Sequence, residues 1–263
     1  MIRAKKSLGQ HFLSDPIVAS QIIEALTLRS GETVLEIGPG HGALTHPLVN
    51  TGANVVAVEL DRVLAPELAR TFEKQKNFRV VEADILTIDP AALGLDRFVL
   101  LGNLPYNITT PVIDWMLKYH PVIDRAVLMM QKEVAERIAS PPGRRARSTI
   151  SVITSLYYDC RTACDVPPRS FTPPPKVDSA VVLFTRHDRT YAIDNLPRFE
   201  KMVRLCFAGK RKSLLNNLNS AYPIQREELV EVVTRLFGSS TIRAEQMTLD
   251  DFIRLAGEIF SRV

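Results

Sequence analysis

Four places in the sequence carry groups that could do chemistry on a bound ligand. Glu36-Ile37-Gly38-Pro39-Gly40-His41-Gly42 follows a short apolar run and puts three glycines at alternate positions. Glycine lets backbone approach a ligand closely, and peptide N–H groups at a helix start face it. Glu59 ends the next apolar run, 21 residues after Gly38, where a carboxylate can accept both hydroxyls of a ribose. Asp84 follows the third run and is a candidate partner for an adenine amine. Asn103-Leu104-Pro105-Tyr106 closes the fourth, with an amide, a carbonyl shaped by a proline turn, and a phenol ring. Glycines followed by an acid also occur in nicotinamide enzymes, so spacing alone leaves a dinucleotide and S-adenosylmethionine both open.

The elements that must position these groups are legible as alternation. Asp15-Pro16 reads as an N-cap and a first-turn proline, and the apolar spacing from Ile17 to Leu26 predicts a helix. Strands are predicted over residues 33–37, 54–58, 78–81, 97–101 and 125–130. Helices are predicted between them, over 43–51, 62–74 and 110–119, with another over 133–139. Strand and helix in alternation mean an α/β fold with a parallel, doubly wound sheet, whose ligands lie beyond the carboxyl ends of the strands. After Ser140 the pattern changes: a breaker with a basic cluster, Pro141 to Arg147, a proline-rich stretch from Asp165 to Pro175 around Phe171, and a last strand over 177–184. From Asn195 onward the periodicity is helical. One boundary is expected near residue 190, giving domains 1–190 and 191–263.

Composition bounds the remaining classes. The chain of 263 residues is 46% hydrophobic and 24% charged, ordinary for a soluble globular protein. No apolar run reaches the ~18 residues of a transmembrane helix, and the basic start lacks the apolar core of a secretory signal. Three cysteines do not make a disulfide framework and suit a reducing cytoplasm. Cys160 and Cys164 lack further Cys or His to complete a metal set, so no metal is expected. His41 and His46 read as incidental. A net charge of +4 permits a polyanion partner without demanding one.

The chain resembles, over nearly its whole length, the small-subunit ribosomal RNA adenine dimethyltransferases. The motifs that carry the resemblance are Gly9-Gln10-His11-Phe12-Leu13, Glu36 to Gly40, Glu59, Asp84, Asn103 to Asn107, and Phe171-Thr172-Pro173-Pro174-Pro175-Lys176-Val177-Asp178-Ser179. The resemblance implies a Rossmann-like, S-adenosylmethionine-dependent methyltransferase domain with a small all-helical C-terminal domain. It implies that His11, Leu13, Gly38, Glu59, Asp84 and Asn103 bind S-adenosylmethionine. Asn103 and the Leu104 carbonyl would hold the target amine, Pro105 would shape the turn, and Tyr106 and Phe171 would sandwich the base. The implied substrate is a pair of adjacent adenosines near the 3′ end of small-subunit rRNA within the assembling 30S particle. No membrane is involved, and a monomer is the default.

Three basic clusters, Arg3-Lys5-Lys6, Arg144-Arg145-Arg147 and Lys210-Arg211-Lys212, flank the expected pocket mouth and second domain. Charge runs are usually solvated faces. An RNA substrate favours phosphate contacts for Lys210, Arg211 and Lys212, and makes Arg144, Arg145 and Arg147 candidates. Where the family has Tyr-Gly or a similar small turn, this chain reads Arg147-Ser148, so the turn there is unsettled. Two other functions compete. A large-subunit rRNA adenine methyltransferase of the antibiotic-resistance type would share Gln10 to Leu13 and Asn103 to Tyr106, but Phe207 to Leu218 resembles the second domain of the small-subunit enzymes. A non-catalytic RNA-binding assembly factor would have no need of Gly38, Glu59, Asp84 and Asn103.

Overall fold

The computed structural model describes residues 9–209 and 211–263. The chain forms two compact units, residues 1–135 with 158–186, and residues 136–157 with 187–263. The division differs from a single boundary at residue 190: the stretch 136–157 groups with the C-terminal helices.

The first unit opens with β1 (Phe12–Leu13) and α1 (Pro16–Ala25), then β2 (Thr33–Ile37), α2 (Thr45–Val49), β3 (Asn54–Glu59), α3 (Leu64–Thr71), β4 (Phe78–Glu82), β5 (Phe98–Asn103), α4 (Thr109–Lys118) and β6 (Ile123–Gln131). The chain continues through α5 (Lys132–Ile138), inside which the division falls, and α6 (Thr149–Thr154) of the second unit. It returns to the first unit for β7 (Tyr158–Val166), β8 (Phe171–Thr172) and β9 (Ser179–Arg186). The Asp15 carboxylate caps α1, accepting from the N–H groups of Ile17 (3.0 Å) and Val18 (3.3 Å).

Seven strands form one sheet in the order β4-β3-β2-β5-β6-β9-β7. The five from β4 to β6 are parallel, as alternation implies, whereas β9 runs antiparallel to both β6 and β7. The expectation of a wholly parallel sheet is corrected there. β7 was not read from sequence at all. It is an edge strand, Tyr-Asp-Cys-Arg-Thr-Ala-Cys-Asp-Val, with Asp159, Arg161, Thr162 and Asp165 exposed and a register shift between Thr162 and Cys164. Charges and bulges on an edge discourage pairing with other chains, and they also erase the apolar signature of a strand. β2, β3 and β5 are buried almost throughout, as strands covered on both faces must be.

The order reverses between β2 and β5, which makes a crevice at their carboxyl ends. Ile37 of β2 pairs with Gly102 of β5, so the glycine loop and Asn103 emerge side by side. A second, two-stranded sheet joins β1 to β8, pairing Phe12 with Thr172 and Leu13 with Phe171. At the other end, Arg125 donates to the carbonyls of Leu26 and Thr27 and to the Glu32 carboxylate, closing the end of α1.

The second unit continues through α7 (Leu196–Cys206), α8 (Leu214–Asn219), α9 (Arg226–Phe237) and α10 (Leu249–Phe260). Phe199, Met202, Val203, Leu214, Leu218, Leu229, Val233, Phe252, Leu255 and Ile259 are buried. Asn195 caps α7, and Thr248 with Asp251 caps α10. Among the described residues, no helix is long and apolar enough to cross a membrane.

Leu101 lies fully buried in β5, directly behind the crevice. Leu101→Ala is expected to cost ~2–5 kcal/mol of stability, read as a lower urea midpoint with an unchanged slope.

Candidate active site

β2 delivers the chain into the glycine loop. Gly38 and Gly40 both have φ of +60°, a left-handed conformation that side chains disfavour. A Cβ on Gly38 would meet open space, whereas one on Gly40 would lie 2.9 Å from the Phe12 ring. The loop is held from the neighbouring strand. The Gly38 N–H donates to the Val58 carbonyl (2.9 Å) and the Gly40 N–H to one Glu59 carboxylate oxygen (3.1 Å). The other Glu59 oxygen accepts from the Asp61 N–H at 2.8 Å. Burial pushes the Glu59 pKa upward, partly offset by these N–H groups. Each oxygen has lone-pair capacity left for a further donor.

Below the loop lies Glu36, buried to 1% exposure and accepting from the Thr45 hydroxyl at 2.8 Å. Burial raises its pKa to about 8, with the Thr45 bond opposing and the Glu59 charge adding. At the end of β4, half-buried Asp84 accepts from the Leu86 N–H at 3.0 Å. Leu60 and Ile85 provide apolar wall beside it, Leu60 being 51% exposed. Sequence reading missed both, although an apolar residue next to each strand-end acid was the available sign.

β5 delivers the second half. The Asn103 amide N–H donates to the His11 carbonyl at 3.1 Å, which leaves its oxygen as the acceptor toward the cavity. The Leu104 N–H is fixed on the Met129 carbonyl (3.0 Å) and its side chain is buried, so the turn is anchored ahead of Pro105. The Tyr106 hydroxyl lies 2.8 Å from that of Ser179. Its ring stacks on the His11 ring, with centroids 5.8 Å apart and planes at 28°. The His11 Nδ1 is 2.8 Å from the Pro173 carbonyl, which only accepts, so Nδ1 carries the proton.

His11, Leu13, Gly38, Glu59, Asp84, Asn103, Leu104, Pro105, Tyr106 and Phe171 all line one cavity of the first unit. Phe171 is 3% exposed, pairs with Leu13 and belongs to the core cluster while lining the cavity. Phe12, unassigned from sequence, packs on Gly40 and against His41, with ring centroids 4.4 Å apart and planes tilted by 60°, and His41 is part of the wall. His46 packs against Phe72.

The basic residues divide. Arg147 is corrected: it is 7% exposed and donates to the Ser140 carbonyl at 2.9 Å, so it is an internal tie and not a phosphate ligand. Arg144, Arg145, Arg211 and Lys212 are exposed in the second unit. Lys210 and the cluster Arg3-Lys5-Lys6 lie outside the described residues. Cys160 and Cys164 are half-buried on β7, and no metal-holding cluster occurs among the described residues.

The cavity fits S-adenosylmethionine by the order of its groups. Gly38 leaves room that a side chain would fill, Glu59 and Asp84 bring carboxylates to successive strand ends, and Leu60 and Ile85 give an apolar wall. A doubly wound sheet with this site at its switch point defines an S-adenosylmethionine-dependent methyltransferase. The family model described as ribosomal RNA adenine dimethylase matches residues 1–256, and the chain belongs to that family. It is 41% identical to the ribosomal RNA small subunit methyltransferase A of Thermosynechococcus vestitus over 97% of both chains. It is 38% identical to the Synechococcus elongatus protein of the same name, over 97% of this chain and 95% of the other. Among solved structures, a dimethyladenosine transferase from Plasmodium falciparum matches with TM-score 0.81 and 28% identity, covering 95% of this chain and 98% of the other. The 23S rRNA methyltransferase ErmE matches with TM-score 0.75 and 32% identity, covering 95% and 99%.

Glu36 gives this site a pH signature. Its folded pKa of about 8 lies above the ordinary carboxylate value of 4.5 that applies once it is solvated on unfolding. Stability from the protonated group is therefore complete below pH 4.5 and is lost as pH rises through about 8. Glu36→Gln is expected to remove this loss. In thermal unfolding without cofactor, the variant should gain on wild type between those two values, with a constant gap above. Parallel melting curves would refute this.

Proposed function

We propose that this protein transfers methyl groups from S-adenosylmethionine to the exocyclic amines of two adjacent adenosines near the 3′ end of small-subunit rRNA. The observation that carries the proposal is the Asn103 amide, whose N–H is taken by the His11 carbonyl beside the glycine loop. Its oxygen, with the Leu104 carbonyl, forms a pair of acceptors for an NH2 group.

An adenine amine is a poor nucleophile because its lone pair is delocalised into the ring. S-adenosylmethionine, when bound, supplies an electrophilic methyl carbon on a sulfonium. Asn103 and the Leu104 carbonyl accept the two amine hydrogens and turn the nitrogen lone pair toward that carbon. With the donor bound, the new N–C bond would form as the C–S bond broke with its electron pair going to sulfur, and the amine proton would then leave to water. No dedicated base is required, and the gain comes from positioning. Gly38, Glu59 and Asp84 bind the donor, with His11 and Leu13 over it, and Tyr106 stacks the extruded base, worth ~1–3 kcal/mol. Phe171, packed in the core cluster at the cavity wall, is the second ring of the sandwich.

Several observations support the small subunit as substrate. Relatives named for that subunit match nearly the full length, at 36–41% identity. Phe207 to Leu218 resembles the second domain of the small-subunit enzymes. The assembling particle in the cytoplasm is then the partner, and exposed Arg144, Arg145, Arg211 and Lys212 would meet its phosphates.

Labelled S-adenosylmethionine should donate to undermethylated small subunits and not to large subunits, with Asn103→Ala losing about 100-fold or more while keeping the wild-type circular dichroism. Transfer to large subunits alone would overturn the substrate, and an active Asn103→Ala the mechanism. RNA affinity should fall steeply with salt, and replacing Arg211 and Lys212 by alanine should lower the log–log slope by about 1–2. An unchanged slope would remove them from the interface.

A further inference from the structure

Tyr106 is held at its hydroxyl and on one face, and both restraints trace to a single later segment. Ser179, at the start of β9 and fully buried, sits 2.8 Å from the Tyr106 hydroxyl. Pro173, six positions earlier, accepts from the His11 ring at 2.8 Å, and that ring lies against the Tyr106 face. A buried serine usually satisfies its hydroxyl on nearby backbone. Ser179 reaches instead to a side chain 73 residues away. The Tyr106 phenol stays neutral, its pKa pushed up by burial against the opposing Ser179 bond, with Asp178 adding to the rise. Phe171 of the same segment packs in the core cluster at the cavity wall.

We propose that Ser179 is a positioning residue for methyl transfer: it anchors the Tyr106 hydroxyl while His11, braced by Pro173, lies against one face and sets the ring plane, leaving the other face for the target base. The segment 171–179 therefore also acts by bracing the tyrosine. A fixed ring loses no torsional freedom when the base arrives, so orientation of the amine is obtained before binding. This rests on the adenine-methylating reading above.

The test is a double-mutant cycle on Ser179→Ala and Tyr106→Phe, which remove the two ends of one bond. Each should lower kcat/KM on undermethylated small subunits about five- to tenfold, the scale of one hydrogen bond. The double variant should fall no further than the worse single, Ser179→Thr should recover most activity, and calorimetric S-adenosylmethionine affinity should stay within about twofold. Multiplying losses, or Tyr106→Phe at wild-type activity, would overturn the proposal. Should Ser179→Ala not fold, Tyr106→Phe decides alone, because it leaves Ser179 in place: reduced kcat/KM with unchanged cofactor affinity supports the clamp. Quenching of 2-aminopurine in an RNA oligonucleotide reads stacking without transfer. An inactive wild type whose quenching still depends on Ser179 or on the Tyr106 hydroxyl discards the substrate reading and keeps the clamp. Quenching equal in wild type and in the folded variants discards the clamp.

Discussion

The parallel pairing of β2 with β5 is the constraint from which the site follows. It sets Ile37 beside Gly102, so that the residues leaving each strand, Gly38 and Asn103, enter the same crevice. Side chains alternate across a strand, so a slip of one residue would turn Asn103 to the opposite face. Gly102 enforces the fit. A Cβ there would lie 3.0 Å from the Leu104 side chain and 3.3 Å from Ile37, so a larger residue would push the two strand ends apart. The burial of β5 and the geometry of the acceptor groups are thus one property.

Around that pairing, polar groups are half satisfied by the protein and half left for ligands. Glu59 holds two backbone N–H groups and keeps lone pairs over. Asn103 spends its N–H on His11 and keeps its oxygen. Buried groups with no partner would be costly, whereas groups tied at one end are fixed in direction without being consumed. Phe12 links the two sides, lying on Gly40 while its neighbour His11 holds Asn103.

Much of this was legible in the sequence because it depends on local pattern. Six of the seven sheet strands announce themselves as apolar runs, and the strand ends at Gly38, Glu59, Asp84 and Asn103 follow from the alternation. What escaped depends on long-range pairing. β7 hides behind edge charges, and its company makes the sheet mixed. Phe171 has the residue type of a stacking ring, but its pairing with Leu13 across the small sheet, which buries it, has no local sign. Arg147 reads as one more surface charge in a basic run, yet its guanidinium serves the Ser140 carbonyl. Ser179 could not be tied to Tyr106 from composition or spacing, since nothing local reports a bond spanning 73 positions.

The small sheet of β1 and β8 has a consequence for how the protein comes into being. Its two strands lie at opposite ends of the first unit's sequence, so the roof of the cavity is a contact of very long loop closure. During synthesis the parallel strands can pair as they emerge, but His11 cannot meet Pro173, nor Tyr106 meet Ser179, until residues 171–179 have left the ribosome. A nascent chain thus gains its crevice well before its tyrosine is braced. The braced tyrosine is a mark that the first unit has been read through to β9.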